Sequence, residues 1–251
     1  MKTAIITGAT AGIGEAIAYK LASLNYQIII TGRRNEKLQN LKAKLQNQYD
    51  VNVLALNFDI RDREAVKNSI ENLSEDWKNI DLLVNNAGLA AGLNSLQEGD
   101  IDDWEQMIDT NIKGLLYITR QVAPLMIQQK KGHIINIGSI AGKEVYPNGT
   151  VYCASKHAVD ALNKGMRIDM LPHGIKVSAI NPGMVDTEFS LVRFKGDTEK
   201  AKTVYQGLTP LYAEDIAEAV EFIVTRPKHV NINDMLIMPT AQATATITNR
   251  I

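Results

Sequence analysis

At 251 residues the chain exceeds the usual single-domain size, yet one open α/β domain can use that length. Hydrophobic residues at 45%, charged residues at 22% and a formal net charge of -1 describe a globule with ample core material; they give no electrostatic argument for nucleic acid or an anionic membrane as partner. No stretch approaches the ~18 continuous apolar residues that a bilayer span needs, and the lone cysteine, Cys153, excludes an intrachain disulfide and points to a reducing cytoplasm.

The first strand is expected at 3–7 (Thr-Ala-Ile-Ile-Thr), and this early strand pattern leaves no room for a signal peptide. The strand delivers Thr7-Gly8-Ala9-Thr10-Ala11-Gly12-Ile13-Gly14, with a helix expected from Glu15 onward. Glycine lets the backbone turn sharply and approach a pyrophosphate with no Cβ in the way. The helix N-terminus then offers free N–H groups and the positive end of its dipole. The spacing is G-x-x-x-G-x-G, not the commoner G-x-G-x-x-G. A tight strand–helix connection would use glycines too; the position after the first strand favours dinucleotide binding.

A second strand at 27–31 ends in Thr31-Gly32-Arg33-Arg34. Chains that bind NAD usually carry an acid about 20 positions beyond the glycine turn to hold the ribose 2′-hydroxyl. Two guanidinium groups stand here instead, suited to bidentate bonds with a 2′-phosphate. As merely solvated residues at a helix start they would oppose the helix dipole. The preference this implies is for NADP. A helix follows at 35–48, with Asn35 as its expected N-cap and Leu38, Leu41 and Leu45 along one face.

Further strands are expected at 53–58, 80–85, 133–138, 175–180 and 235–238, and long helices at 101–129 and 150–171, with Pro172 and Gly174 closing the latter. Apolar runs alternating with amphipathic segments predict an α/β fold: a doubly wound, seven-stranded parallel sheet flanked by helices. No linker or low-complexity tract divides the chain, so residues 1–251 are read as a single domain. Segment 184–212, with Phe189, Arg193, Phe194, Lys195, Gly196, Asp197 and Pro210, breaks the alternation directly after the sixth strand. It is either a surface loop with a short helix or a substrate-specificity lid, and ligands of such sheets bind at that end of the strands.

Within Gly149-Thr150-Val151-Tyr152-Cys153-Ala154-Ser155-Lys156, Tyr152 and Lys156 share a helix face. A free phenol, with a pKa near ~10, is a poor acid or base at neutral pH. An adjacent ammonium favours the phenolate and brings the group toward useful acid–base chemistry. Cys153 is read as a helix-packing residue, since no His or Asp is placed to activate it. His133, His157, His173 and His229 are scattered and suggest no metal site.

Taken together, Thr7-Gly8-x-x-x-Gly12-x-Gly14, Asp59, Asn85-Asn86-Ala87-Gly88, Asn111, Ser139, Tyr152-x-x-x-Lys156 and Asn181-Pro182-Gly183-x-x-x-Thr187 resemble the short-chain dehydrogenase/reductase family over essentially the whole chain. Several motifs in the right order are far more specific than any one. The resemblance implies a catalytic set of Asn111, Ser139, Tyr152 and Lys156. Ser139 would bond the substrate oxygen and Tyr152 would exchange its proton. Lys156 would bond the nicotinamide ribose and lower the Tyr152 pKa, and Asn111 would hold a water linking Lys156 to solvent. It also implies an NADP site built from Gly8, Thr10, Gly12, Ile13, Gly14, Arg33 and Arg34, with Asp59 and Ile60 at the adenine. Asn86 would line the cleft, and Pro182, Gly183, Val185 and Thr187 would flank the nicotinamide, near Tyr152 and Lys156. Such chemistry is coherent, because hydride transfer leaves charge on an oxygen at which Ser139 and Tyr152 are aimed.

Thr187-Glu188-Phe189-Ser190, Val192-Arg193-Phe194-Lys195-Gly196-Asp197 and His229-Val230-Asn231-Ile232-Asn233 look like the NADP-dependent 3-hydroxy acid dehydrogenases of that family. That likeness implies small substrates such as serine, L-allo-threonine, 3-hydroxyisobutyrate and 3-hydroxypropionate or malonic semialdehyde, and a homotetramer paired through the long helices. Near Met184-Val185-Asp186 the loop is shorter than that pattern. A small acid needs a cation; Arg193 is the candidate, alongside Ser139 and Tyr152 as substrate contacts, and a clamp for the loop or a cofactor phosphate is its alternative role. Two rivals remain: a broad carbonyl or 3-oxoacyl thioester reductase, and a non-catalytic NADP-binding scaffold.

Overall fold

A computed structural model describes every residue from Met1 to Ile251. In strand β1 (Lys2–Ile6) successive side chains alternate across the sheet. Ala4 and Ile6 therefore enter one core, with Ile28, Ile30, Leu82 and Val84, while Ile5 enters the opposite core with Ile29 and Leu83. Both faces are covered, which is why the strands are apolar throughout. The remaining strands are β2 (Tyr26–Gly32), β3 (Val53–Asn57), β4 (Ile80–Asn85), β5 (Gly132–Ile137), β6 (Ile175–Pro182) and β7 (Asp234–Ile237). They pair in parallel in the order β3-β2-β1-β4-β5-β6-β7. The expected seven-stranded parallel sheet is present, with strand ends displaced by one or two residues.

Because β1 pairs with both β2 and β4, the chain changes direction across the sheet there, opening a crevice at the strands' carboxyl ends. Helix α1 (Gly12–Ser23) starts within the glycine turn, earlier than Glu15, and has no side-chain cap on its first N–H groups. Helix α2 (Asn35–Gln48) buries Leu38, Leu41 and Leu45, where trimming one leucine to alanine would cost about 2–5 kcal/mol. Asn35 is not its cap. Arg34 holds the cap position, and the Asn35 side chain accepts from Gln39 Nε2 at 3.3 Å.

Helices α3 (Arg63–Glu71) and α4 (Glu75–Lys78) lead to β4. The stretch expected as one helix over 101–129 is α5 (Ile101–Ile108) and α6 (Leu115–Gln129), joined by a π-helical segment, Asp109–Gly114, that contains Asn111. Wide turns of this kind often mark functional positions, since they re-aim side chains within a continuous helix. Helix α7 (Thr150–Met170) ends in a short 3₁₀ turn, and Gly174 adopts φ 70° beyond it. Segment 184–212 contains two short helices, α8 (Phe189–Arg193) and α9 (Thr198–Thr203); α10 (Ala213–Val224) then packs against α1, with Lys20 Nζ 3.0 Å from Glu221. No helix is long and apolar enough to cross a membrane.

Candidate active site

The turn between β1 and α1 is held in place from the neighbouring strand. Thr7 Oγ1 accepts from the backbone N–H groups of Asn86 and Ala87, both at 3.0 Å, and Asn86 Nδ2 donates to the carbonyls of Thr7 and Gly8 at 2.9 and 3.1 Å. Gly8 has φ 66°, and a Cβ there would lie 2.9 Å from Ala87 Cα. A Cβ on Gly14 would lie 2.5 Å from the Gly8 oxygen. Only glycine lets the turn fold this tightly with the uncapped start of α1 exposed to the crevice.

Arg33 and Arg34 follow β2 at the same end. Arg34 Nε and Nη2 donate to Thr10 Oγ1 at 3.1 and 2.9 Å, and Nη1 donates to Glu188 Oε2 at 2.7 Å. Arg33 lies 3.9 Å from Asp59, whose carboxylate is bound bidentately by Arg61. Burial would raise the Asp59 pKa, but the Arg61 hydrogen bonds and charge outweigh it and hold the carboxyl below its usual range. Arg34 is thus held by three hydrogen bonds, whereas Arg33 is mostly exposed, with Asp59 its one distant partner.

At the reactive end Ser139, just past β5, accepts from Ala141 N at 3.1 Å. Tyr152 and Lys156, on the first turns of α7, are both buried. Lys156 Nζ donates to the Ile137 carbonyl at 3.0 Å and lies 6.0 Å from the Tyr152 ring centroid. Burial drives Lys156 down to about 8. Burial, then the neighbouring Tyr146, pushes the Tyr152 phenol well above its ordinary value, with the Ser139 hydroxyl and the Arg193 charge opposing. The expectation that Lys156 sets a lowered Tyr152 pKa is therefore corrected for this state: desolvation of the phenol outweighs nearby positive charge.

Asn111 does not line the cleft. Its Oδ1 accepts from Leu89 N at 2.9 Å, and its Nδ2 donates to Leu89 O and Ser155 Oγ at 2.8 and 3.0 Å. These three bonds clasp the loop after β4 to α7. Cys153 is buried in the helix packing, and His157 Nδ1 meets only the Cys153 carbonyl, at 2.9 Å. Burial takes His133 down to about 3, where its Nε2 lies 2.8 Å from Ser178 Oγ. No cluster of His, Cys, Asp and Glu could hold a metal ion.

Segment 184–212 forms the other wall, through Val185, Thr187, Glu188, Phe189 and Val192. Phe189 sits edge-on to Tyr152 with ring centroids 5.7 Å apart. Arg193 does not line the main cleft; together with Tyr152 it lines a small adjoining pocket. Its Nη2 donates to Tyr146 Oη at 2.9 Å, its Nε donates to the Gly92 carbonyl at 3.3 Å, and its guanidinium lies 5.6 Å from the Tyr152 ring. It has no carboxylate partner among the ion pairs of the molecule.

One cleft of ≈ 340 Å³ collects most of the residues foreseen from sequence: Gly8, Thr10, Gly12, Ile13, Arg33, Arg34, Asp59, Ile60, Asn86, Ser139, Tyr152, Lys156, Pro182, Gly183, Val185 and Thr187. Gly14, Asn111 and Arg193 lie outside it, supporting its walls. Three contributors escaped the sequence reading. Glu188 lines the cleft, Thr110 lines it with a hydroxyl that has no protein partner, and Tyr146 orients Arg193. Glu188 and Tyr146 carry no signal of their own, because their partners are remote in the chain. The glycine cradle, the arginine pair at one end and Ser139 with the buried Tyr152 and Lys156 at the other fit an elongated, phosphorylated dinucleotide.

Known proteins share this arrangement. Residues 2–197 match the model of the short chain dehydrogenases. The NADP-dependent 3-hydroxy acid dehydrogenase YdfG of Salmonella typhi is 48% identical over 242 residues, 96% of each chain. An NADP-dependent 3-hydroxy acid dehydrogenase of Schizosaccharomyces pombe is 40% identical, over 97% of this chain and 95% of that one. Among solved structures, the closed form of a serine dehydrogenase complexed with NADP+ superposes with a TM-score of 0.93 at 44% identity, covering 99% of both chains.

Proposed function

The chain belongs to the short-chain dehydrogenase family, and from that premise we propose that it interconverts the hydroxyl and carbonyl forms of a small 3-hydroxy acid. It is an NADP-dependent oxidoreductase acting on CH–OH donors. The observation that carries the substrate reading is Arg193, a half-buried cation without a carboxylate partner, held 5.6 Å from the reactive Tyr152 ring. A substrate carboxylate supplies the missing partner and fixes the hydroxyl-bearing carbon near Tyr152.

NADP, when bound, accepts the hydride in oxidation and returns it in reduction. The chain's own residues handle orientation and the proton. Arg33 and Arg34 bind the 2′-phosphate, and the glycine turn with the start of α1 receives the pyrophosphate. Ser139 Oγ donates to the substrate oxygen. Tyr152 Oη takes that oxygen's proton during oxidation and restores it in reduction, and the Lys156 ammonium stabilises the transient phenolate. Phe189 and Leu89 line the reactive end and exclude water there. Asn111 positions the loop carrying Gly88 and Leu89 against α7. Segment 184–212 acts as the lid of what is otherwise one domain.

Those apolar walls favour a second reading, a broad carbonyl or 3-oxoacyl thioester reductase. Oxidation of L-serine, L-allo-threonine and 3-hydroxyisobutyrate, beside a neutral secondary alcohol, tests the first. Reduction of malonic semialdehyde, diacetyl and an acetoacetyl thioester tests the second. A higher kcat/KM for diacetyl or the thioester than for malonic semialdehyde would replace the 3-hydroxy acid reading. Exposed Ile108 and Leu116 on the α5–α6 stretch, and Ile168 and Leu171 at the end of α7, support burial between copies in a homotetramer. The free Cys153 thiol fits a cytoplasmic site of action.

A further inference from the structure

We propose that Glu188 is a further cofactor-holding residue, whose carboxylate latches the lid across the dinucleotide cleft onto Arg34 and Lys37. The inference rests on the NADP reading and deepens it, because one guanidinium then serves both the 2′-phosphate and the roof above it. Glu188 immediately precedes α8, at the base of the lid. Its Oε2 accepts from Arg34 Nη1 and its Oε1 from Lys37 Nζ, each at 2.7 Å. Both oxygens are thus committed to residues on the far wall, after β2. Thr187 beside it packs over the glycine turn, where a Cβ on Gly12 would lie 3.1 Å from Thr187 Cβ. The lid base therefore spans the crevice from one wall to the other above the place where the pyrophosphate enters.

Arg34 is the hub of this bridge. It holds Thr10 Oγ1 through Nε and Nη2 and Glu188 through Nη1, which leaves guanidinium N–H donors for a phosphate. Charge permits the three to coexist. Arg33, Arg34, Lys37 and Arg61 outnumber the carboxylates Asp59 and Glu188, so a phosphate dianion enters a site that is still net positive. Arg34, Lys37 and Glu188 are all partly exposed, with 45%, 46% and 42% of their side-chain surface accessible. Exposed ion pairs hold weakly and are screened by salt, which suits a latch that opens for release in every turnover. At its distal end the lid is tied independently, by Lys195 with Asp100 and Asp103 at 3.1 and 3.0 Å.

The test follows NADPH dissociation by its fluorescence in the full-length wild type, E188Q, K37Q and the double variant, at low and high salt. The expected result is release about three- to ten-fold faster in each single variant. The double variant should be no faster than the faster single one, and high salt should bring the wild type toward the variants. Unchanged release in E188Q overturns the latch. Slower release overturns it too, since Glu188 would then be repelling the phosphate. A K37Q effect that persists fully in the E188Q background and vanishes with NADH overturns the Lys37 arm, assigning that residue to the phosphate itself. Failure of the wild type to bind NADPH would sink the cofactor reading, and the latch with it. Binding with unaltered release sinks the latch alone.

Discussion

The two ends of the cleft are built from different materials. At the cofactor end the surface centres on backbone, the tight turn at Gly8–Gly14 strapped to the end of β4 by Thr7 and Asn86, with Arg33 and Arg34 beside it. At the reactive end it is side chains from distant parts of the chain, with Leu89 after β4, Tyr152 on α7 and Phe189 from segment 184–212, and with Arg193 and Tyr146 packed beside Tyr152. Backbone seated on paired strands has little freedom, so the first surface accepts one cofactor geometry. Side chains on short helices and loops can be exchanged without disturbing the sheet, which is how one scaffold serves many substrates.

The largest effect should come from Tyr152, where the chemistry converges. Tyr152→Phe should lower kcat by about 10²- to 10⁴-fold while the NADPH dissociation constant stays within a few-fold of wild type. Loss of cofactor binding in parallel would show the two ends to be coupled. Gly14→Ala should act on the other end, raising the NADPH dissociation constant by about 100-fold, because its Cβ has the Gly8 oxygen 2.5 Å away. If binding is unaffected, the cradle is more pliable than its geometry implies.

Smaller effects separate the two ends more finely. Arg34→Ala should cut the preference for NADPH over NADH by about 10- to 100-fold, the value of one or two charge-assisted hydrogen bonds; an unchanged ratio in competition assays would leave Arg33 as the sole selector. Arg193→Ala should raise KM for 3-hydroxy acids by about tenfold and leave diacetyl reduction untouched. An equal loss for both would make Arg193 a clamp for the lid. Lys156, held down to about 8 by burial, is charged below that pH and neutral above it. Reduction requires the charge, so its kcat/KM should fall as pH rises through about 8. In Lys156→Arg, whose guanidinium stays protonated above pH 12, that decline should disappear even if the maximum is lower.

Local periodicity carried much of this protein. Apolar runs with a period of two on both faces specify a covered parallel sheet. The leucines at 38, 41 and 45 specify α2, and the glycine turn, Arg33-Arg34 and the Tyr152–Lys156 spacing each lie within a few residues of chain, where sequence order is already spatial order. Asn35 shows the limit of this legibility, since it is a good capping type in nearly the right place and the helix begins one residue earlier. What only the tertiary structure decided are the relations between remote residues: Glu188 against Arg34 and Lys37, Arg193 against Tyr146 and Gly92, and the amide of Asn111 spent on Leu89 and Ser155. The protonation chemistry belongs to the same group. Spacing alone puts an ammonium beside a phenol and suggests a lowered pKa, whereas burial of both side chains raises one and lowers the other. Desolvation depends on everything packed around a group, and no short stretch of sequence contains its own surroundings.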